Sequence, residues 1–211
     1  MDAKLPHAFV INMKSRPDRW KHIQKEFGSL SGCGLDIERI EGPHTKPGWK
    51  GCTITHRKCI ELAKERRYPW ILILEDDATL SLEAAKRFKD LLPLLWETRK
   101  EWDIFNGGFS TVHTAYVLEK SPPLFLATGW ATHFCLIPAS SYDKILDLVN
   151  KNPVMAIDNY YSQPSLTMLC TYPHLSVQIP GKSDNWKKYT NYTPSFKKAN
   201  EVLRKVLVKV G

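Results

Sequence analysis

The chain has 211 residues, 43% of them hydrophobic and 25% charged, with eight Phe, eight Tyr and seven Trp spread along its length. That composition excludes a disordered, collagenous or coiled-coil protein, and the length suffices to bury a sizeable core. Thirty Lys and Arg against 22 Asp and Glu give a formal charge of +8, which points to an anionic partner: nucleic acid, a membrane surface or a phosphate-bearing small molecule.

His7 to Asn12 (HAFVIN) reads as a short buried strand. Ser15, Pro17 and Asp18 then form a helix-start signature, and Trp20, Ile23 and Phe27 supply an apolar stripe up to Gly28. Leu35 to Glu41 alternates enough for a second strand. The stretch 42–51 holds two Pro and three Gly and reads as a loop with Trp49 exposed. Thr53 or Thr55 is expected to cap a helix that runs to about Arg67. Trp70 to Leu74 is a continuous apolar run, the pattern of a strand buried on both faces, and Glu75-Asp76-Asp77 follows at once. Three carboxylates therefore emerge at the carboxyl end of a central strand.

A helix from about Ser81 to Leu92 follows, kinked or stopped by Pro93. Trp102 to Asn106 and Thr128 to Pro138 read as strands, and Ser140 or Ser141 caps a further helix. Leu166 to Ile179 offers one or two strands, and Pro180 to Asn185 is a polar loop. Ser195 to Val210 is an amphipathic helix, with Ala199, Val202, Leu203, Val206, Leu207 and Val210 inside and Lys197, Lys198, Arg204, Lys205 and Lys209 outside. Alternating strands and helices predict an α/β domain over residues 1–211, its central sheet mixed, largely parallel in the first half, and flanked by helices.

Cys33, Cys52, Cys59, Cys135 and Cys170 are odd in number and show no zinc spacing, so free, mostly buried thiols of a reducing compartment are expected. The sequon at Asn191 to Thr193 would then go unused. No apolar run approaches the roughly 20 residues that span a bilayer. The start MDAKLPHAFVINMK lacks a signal-peptide core. A cytoplasmic chain without a transmembrane segment is the expectation.

The acids at 75–77 are the strongest candidate site, because ligands of open α/β sheets bind outside the carboxyl ends of the strands. Three carboxylates packed there repel one another, and a divalent cation relieves that repulsion. Alternation along the pleat lets Glu75 and Asp77 share one pocket while Asp76 turns away; one could hold the metal, the other a sugar hydroxyl. The expected helix start near Thr53 and Thr55 would favour an anion, helped by Arg57 and Lys58. Asn12 and Arg16 form a polar pair leaving the first strand, where a nucleotide base or ribose could be gripped. His174, near Ser183 and Asp184, is a structural histidine or, if it faces Asp77, part of a manganese shell. Asp158 is a general base or a helix-capping acid. P-loop, dinucleotide-binding and α/β-hydrolase motifs do not occur in the chain.

Taken together, Phe9-Val10-Ile11-Asn12 with Arg16-Pro17-Asp18-Arg19-Trp20, Gly51-Cys52 with Thr55-His56, and Ile71 to Asp77 resemble glycosyltransferase family 25 of lipopolysaccharide and collagen glycosyltransferases. Asp158, Pro173 to Gln178 and Ser183-Asp184 look like that family's later marks, and the chain also resembles the N-terminal domain of a chlorella-virus multi-domain glycosyltransferase. The resemblance implies a GT-A fold, a UDP-sugar donor, a glycan or glycoprotein acceptor, and Mn2+ or Mg2+ on a DxD-like motif. Asn12 and Arg16 would lie at the nucleotide, Glu75 at the ribose or donor sugar, and Asp77 at the metal, with Asp76 beside them. His174 would be a late metal or diphosphate ligand, Ser183 and Asp184 the diphosphate side, and Asp158 the acceptor side. Thr55 stands where the family usually has Ser, and Ala78 where a bulkier aliphatic residue is common. The residues alone leave two alternatives: a basic nucleic-acid-binding module, and a nucleotide-sugar hydrolase on the same fold. The basic last helix could also dock a following domain in a longer chain, or an anionic membrane.

Overall fold

A computed structural model describes residues 5–28, 34–151, 155–183 and 188–210. In chain order the elements are β1 (His7–Ile11), α1 (Pro17–Phe27), β2 (Ile37–Ile40), α2 (Gly48–Glu65), β3 (Trp70–Glu75), α3 (Leu82–Glu97), β4 (Ile104–Asn106), β5 (Thr111–Lys120), β6 (Pro123–Trp130), β7 (Phe134–Pro138), α4 (Tyr142–Lys151), α5 (Ile157–Tyr161), β8 (Met168–Thr171), β9 (Gly181–Lys182), β10 (Tyr189–Thr190) and α6 (Thr193–Lys209). Eight strands form one sheet in the order β2-β1-β3-β7-β4-β8-β6-β5, and β9 pairs with β10 in a small ribbon. β1 lies parallel to β2 and β3, and β4 parallel to β8. β7 runs antiparallel to β3 and β4, and β6 antiparallel to β5 and β8. The sheet is thus mixed, parallel in its N-terminal part.

Pleat alternation splits the core into two layers. Trp70, Leu72 and Leu74 of β3 face one layer with Ile23 and Phe27 of α1 and Phe88, Leu91, Leu92 and Leu95 of α3. Ile71 and Ile73 face the other, with Cys59, Ile60 and Ala63 of α2 and Ile145 and Val149 of α4. β3 is buried on both faces, as its unbroken apolar run requires, and its first polar residue, Glu75, ends it.

Several elements depart from the sequence expectation. α2 begins at Gly48, within the stretch read as loop, so Thr53 and Thr55 are interior rather than caps. Their hydroxyls bond back to the carbonyls of Trp49 and Gly51, while Thr45 Oγ1 accepts from the Gly51 amide and serves the first turn instead. Trp49 is half-buried rather than exposed. α1 has Arg16, not Ser15, at its N-cap, with no capping side chain. α3 continues through Pro93 to Glu97, because Pro93 sits on the exposed face while Leu91, Leu92 and Leu95 keep the buried stripe. The run 128–138 is two strands, β6 and β7, separated by a corner at 131–133, and β5 with β6 makes a long hairpin that the sequence reading did not foresee. In α6, Phe196, Ala199 and Leu203 are buried, but Val202 and Val210 are exposed.

Cys52, Cys59, Cys135 and Cys170 are free thiols, as expected; Cys33 lies outside the described residues. Among the described residues no helix is long and apolar enough to cross a membrane.

Candidate active site

The carboxyl ends of β1 and β3 open into a cavity of about 780 Å3. Asn12, Arg19, Thr55, Glu75, Asp76, Asp77, Asp158 and Ser183 line it, as do Gly48 and Trp49 of the first turn of α2. The anion-favouring helix start therefore does face the cavity, but it lies at Gly48 rather than near Thr53. Gly42 and Gly51 let the preceding loop close on that turn: a Cβ at Gly42 would come within 2.8 Å of Thr55 Oγ1, and one at Gly51 within 2.6 Å of the Pro43 carbonyl.

The three acids follow one another at the end of β3, and all reach the cavity wall. Asp76 does not turn away. Its Oδ2 accepts from Asn12 Nδ2 at 2.6 Å and its Oδ1 from Arg19 Nη1 at 2.8 Å. Arg19 Nη1 also donates to Asp77 Oδ2 at 3.1 Å, and Gln178 Nε2 donates to Asp77 Oδ1 at 3.1 Å. Burial works against the Arg19 charge, but Asp77 and Asp76 outweigh it and raise its pKa.

Glu75 has a different set of neighbours. Thr132 Oγ1 donates to Oε1 at 2.8 Å, with His56 Nε2 and Cys52 Sγ each 3.8 Å from the same oxygen. Burial opposes its ionisation, yet His56 and Thr132 together bring its pKa below the ordinary carboxylate value. Asp77 is pushed up to about 7 by burial first and by the Glu75 charge second, against the pull of Arg19.

Asp158, at the start of α5, is raised to about 6 by burial and the Glu75 charge. Its Oδ1 accepts from the amide of Ala131 at 3.0 Å. Ala131 has φ of 99°, a strained conformation for a residue with a Cβ. That amide and the Asn106 Nδ2 bond to the Ala131 carbonyl, at 2.7 Å, hold the corner, which carries Trp130 and Thr132 into the cavity wall.

Not every predicted residue comes to this place. Arg16 lies outside the cavity lining, with Asp18 as its ion-pair partner and the Lys182 carbonyl as an acceptor. Arg57 points to a different surface of α2, where it pairs with Glu61. His174 is also outside the lining: it is buried edge-on to Phe109 and Phe196, and burial lowers its pKa to about 3. Asp184 lies outside the described residues. Sequence reasoning missed Arg19, Thr132 and Gln178 as partners of the acids. Arg19 lies in the first turn of α1, three residues after the N-cap Arg16, and only the docking of α1 decides which of the two reaches the acids.

Residues 45–108 match the family model of glycosyltransferase family 25 (LPS biosynthesis protein), a span that takes in α2, β3 and the acids. No curated protein matches the chain at a significant level. Among solved structures, the chain is similar to a glycosyltransferase involved in the glycosylation of the major capsid of PBCV-1, with 13% identity, 95% of this chain and 100% of that chain covered, and a TM-score of 0.51. A197 from STIV is similar at 10% identity over 88% of this chain and 93% of that chain, with a TM-score of 0.47. At such identities the likeness to the PBCV-1 enzyme is one of fold, the GT-A type of mixed sheet between helices. The family segment and the fold together mark a glycosyltransferase-like protein.

Proposed function

We propose that this glycosyltransferase-like chain is a metal-dependent enzyme that moves a hexose from a UDP-sugar to a glycan or other hydroxyl acceptor. The observation that carries the reading is the row Glu75, Asp76 and Asp77 at the carboxyl end of β3, set in one cavity wall with Asp158. A hard divalent ion such as Mn2+ or Mg2+ fits at Asp77, because a cation relieves the repulsion between two buried carboxylates and takes oxygen ligands. When bound, the ion neutralises charge on the leaving diphosphate.

The chain's own residues supply the rest. Asn12 and the first turn of α2 hold the nucleotide, where the helix dipole favours its negative charge. Arg19 adds a fixed positive charge beside Asp76 and Asp77, and Ser183 lies on the diphosphate side. Glu75, kept ionised, accepts from a hydroxyl of the ribose or donor sugar. Asp158, with its pKa near 6, takes the proton of the acceptor hydroxyl if the anomeric centre is inverted; a retaining reaction needs no such base.

The test is thermal unfolding with UDP, GDP and a set of nucleotide sugars, each with Mn2+ and with chelator. A ligand at a hundredfold excess over its Kd adds about 2.7 kcal/mol of stability. A rise specific to uridine nucleotides that needs the metal is expected, and no rise with any nucleotide overturns the reading. Product release with and without glycan acceptors then separates transfer from hydrolysis.

A further inference from the structure

We propose that Cys52, His56 and Glu75 form a second cation site, of the soft type that takes zinc, distinct from the oxygen site at Asp77. Cys52 and His56 lie one turn apart on α2, so both project from one face of the helix, and Glu75 meets them from the end of β3. One ligand atom from each lies within 4.8 Å of the other two. Tetrahedral zinc, with bonds of about 2.3 Å to sulfur and about 2.0–2.2 Å to nitrogen and oxygen, sets its ligand atoms roughly 3.4–3.6 Å apart. Glu75 Oε1 is 3.8 Å from both Cys52 Sγ and His56 Nε2, so these two edges need to tighten by only a few tenths of an ångström, while the Cys52–His56 edge lies within 4.8 Å.

His56 is the independent observation. It is fully buried, and its Nδ1 is engaged with the Tyr161 hydroxyl at 3.0 Å. Nε2 is the nitrogen turned towards Glu75, and it has no hydrogen-bond partner. At 3.8 Å the carboxylate is too far for a hydrogen bond but at the right distance for an ion between the two. Tyr161 on Nδ1 and Thr132 on Oε1 are the outer partners that orient ligands at metal centres. Thiolate, imidazole and a single carboxylate are a zinc set rather than a magnesium or manganese set. On binding, the Cys52 S–H bond gives its proton to solvent as the sulfur–metal bond forms. Cys52 and Glu75 both line the cavity, so a bound ion would be within reach of water or a ligand oxygen there.

The site stands on this geometry alone and survives failure of the transferase reading. The full chain, stripped with chelator and kept reduced, is titrated with Co2+ as a spectroscopic stand-in for zinc. A thiolate-to-cobalt absorption band saturating at one equivalent is expected, displaced by Zn2+, lost in Cys52→Ser and retained in Asp77→Asn. Absence of the band, or its persistence in Cys52→Ser, overturns the site. A second measurement needs no variant: one equivalent of Zn2+ should protect Cys52 of the unaltered protein from alkylation, read by peptide mass spectrometry. Alkylation unchanged by zinc overturns the proposal equally.

Discussion

Glu75 and Asp77 are two residues apart at the end of one strand, yet their surroundings drive them in opposite directions. Around Glu75 the neighbours are a histidine and a donating hydroxyl, and the carboxylate is favoured in spite of its burial. Around Asp77 burial and the charge of Glu75 itself prevail, and Arg19, shared with Asp76, compensates only in part. The lesson is that a row of acids is not one site but a graded one. Its first member is favoured in the charged form, its middle member is tied to Arg19 and Asn12, and its last is shifted towards the protonated form.

The comparison breaks most sharply at Asp77. Asp77→Asn is expected to lower metal-dependent turnover by about 10²–10³-fold, the scale of losing one electrostatic stabiliser of developing charge, with the fold retained; an unchanged rate removes Asp77 from the site. Next in size is Arg19→Ala. The Arg19 and Asp76 side chains are only 11% and 12% exposed, and removing one partner of a buried pair costs about 3–5 kcal/mol. At roughly 2–4 °C per kcal/mol for a protein of this size, a calorimetric midpoint lowered by less than a few degrees would show that Asp76 is solvated after all.

The pH dependence of stability sharpens the contrast further. Asp77 keeps its proton to about pH 7 when folded but only to its ordinary 3.8 when unfolded. Between those values the folded state binds the extra proton, so this group's contribution to stability falls as pH rises and is least above 7. Asp158, raised to about 6, acts in the same sense over a shorter window. Buried His174 and His133, lowered to about 3 and 4, act in the opposite sense below their ordinary 6.5, where the unfolded chain takes the proton. The difference in midpoint between Asp77→Asn and the unaltered protein should therefore grow in the variant's favour from pH 6 to 8, and a flat difference would move the titration to another group. The smallest effect is a control remote from the acids. Ser81 Oγ accepts from the Ala84 amide at the start of α3, so Ser81→Ala should cost about 1 kcal/mol and leave nucleotide binding untouched. A parallel loss of binding would mean that the cavity responds to stability alone.

The N-terminal half was legible and the rest much less so. Parallel strands need helical crossovers, so β1, α1, β2 and β3 announce themselves by alternating periodicity, and β3 by its unbroken apolar run ending in acids. The β5–β6 hairpin did not: β5 is largely exposed, and its mixed pattern carries little burial signal. Sequence places the start of α2 too late because Thr53 and Thr55 look like caps, and only the folded helix shows their hydroxyls bonded back to the carbonyls of Trp49 and Gly51. Arg57 and His174 have the chemistry and motif position of site residues, but the facing of α2 and the packing of Phe109 and Phe196 turn them away, while Arg16 stays at the rim, where it shares the Lys182 carbonyl with Arg19.

From sequence alone came the α/β class, the buried central strand and the place of three carboxylates at its carboxyl end, because periodicity and composition are local properties that burial imposes residue by residue. Which neighbours those carboxylates have was decided by tertiary structure. Arg19, His56, Thr132 and Gln178 come from four separate parts of the chain and meet the acids only when the sheet assembles. Proton affinity and metal preference depend on charges and donors within a few ångströms, and that distance is set by packing rather than by order along the chain.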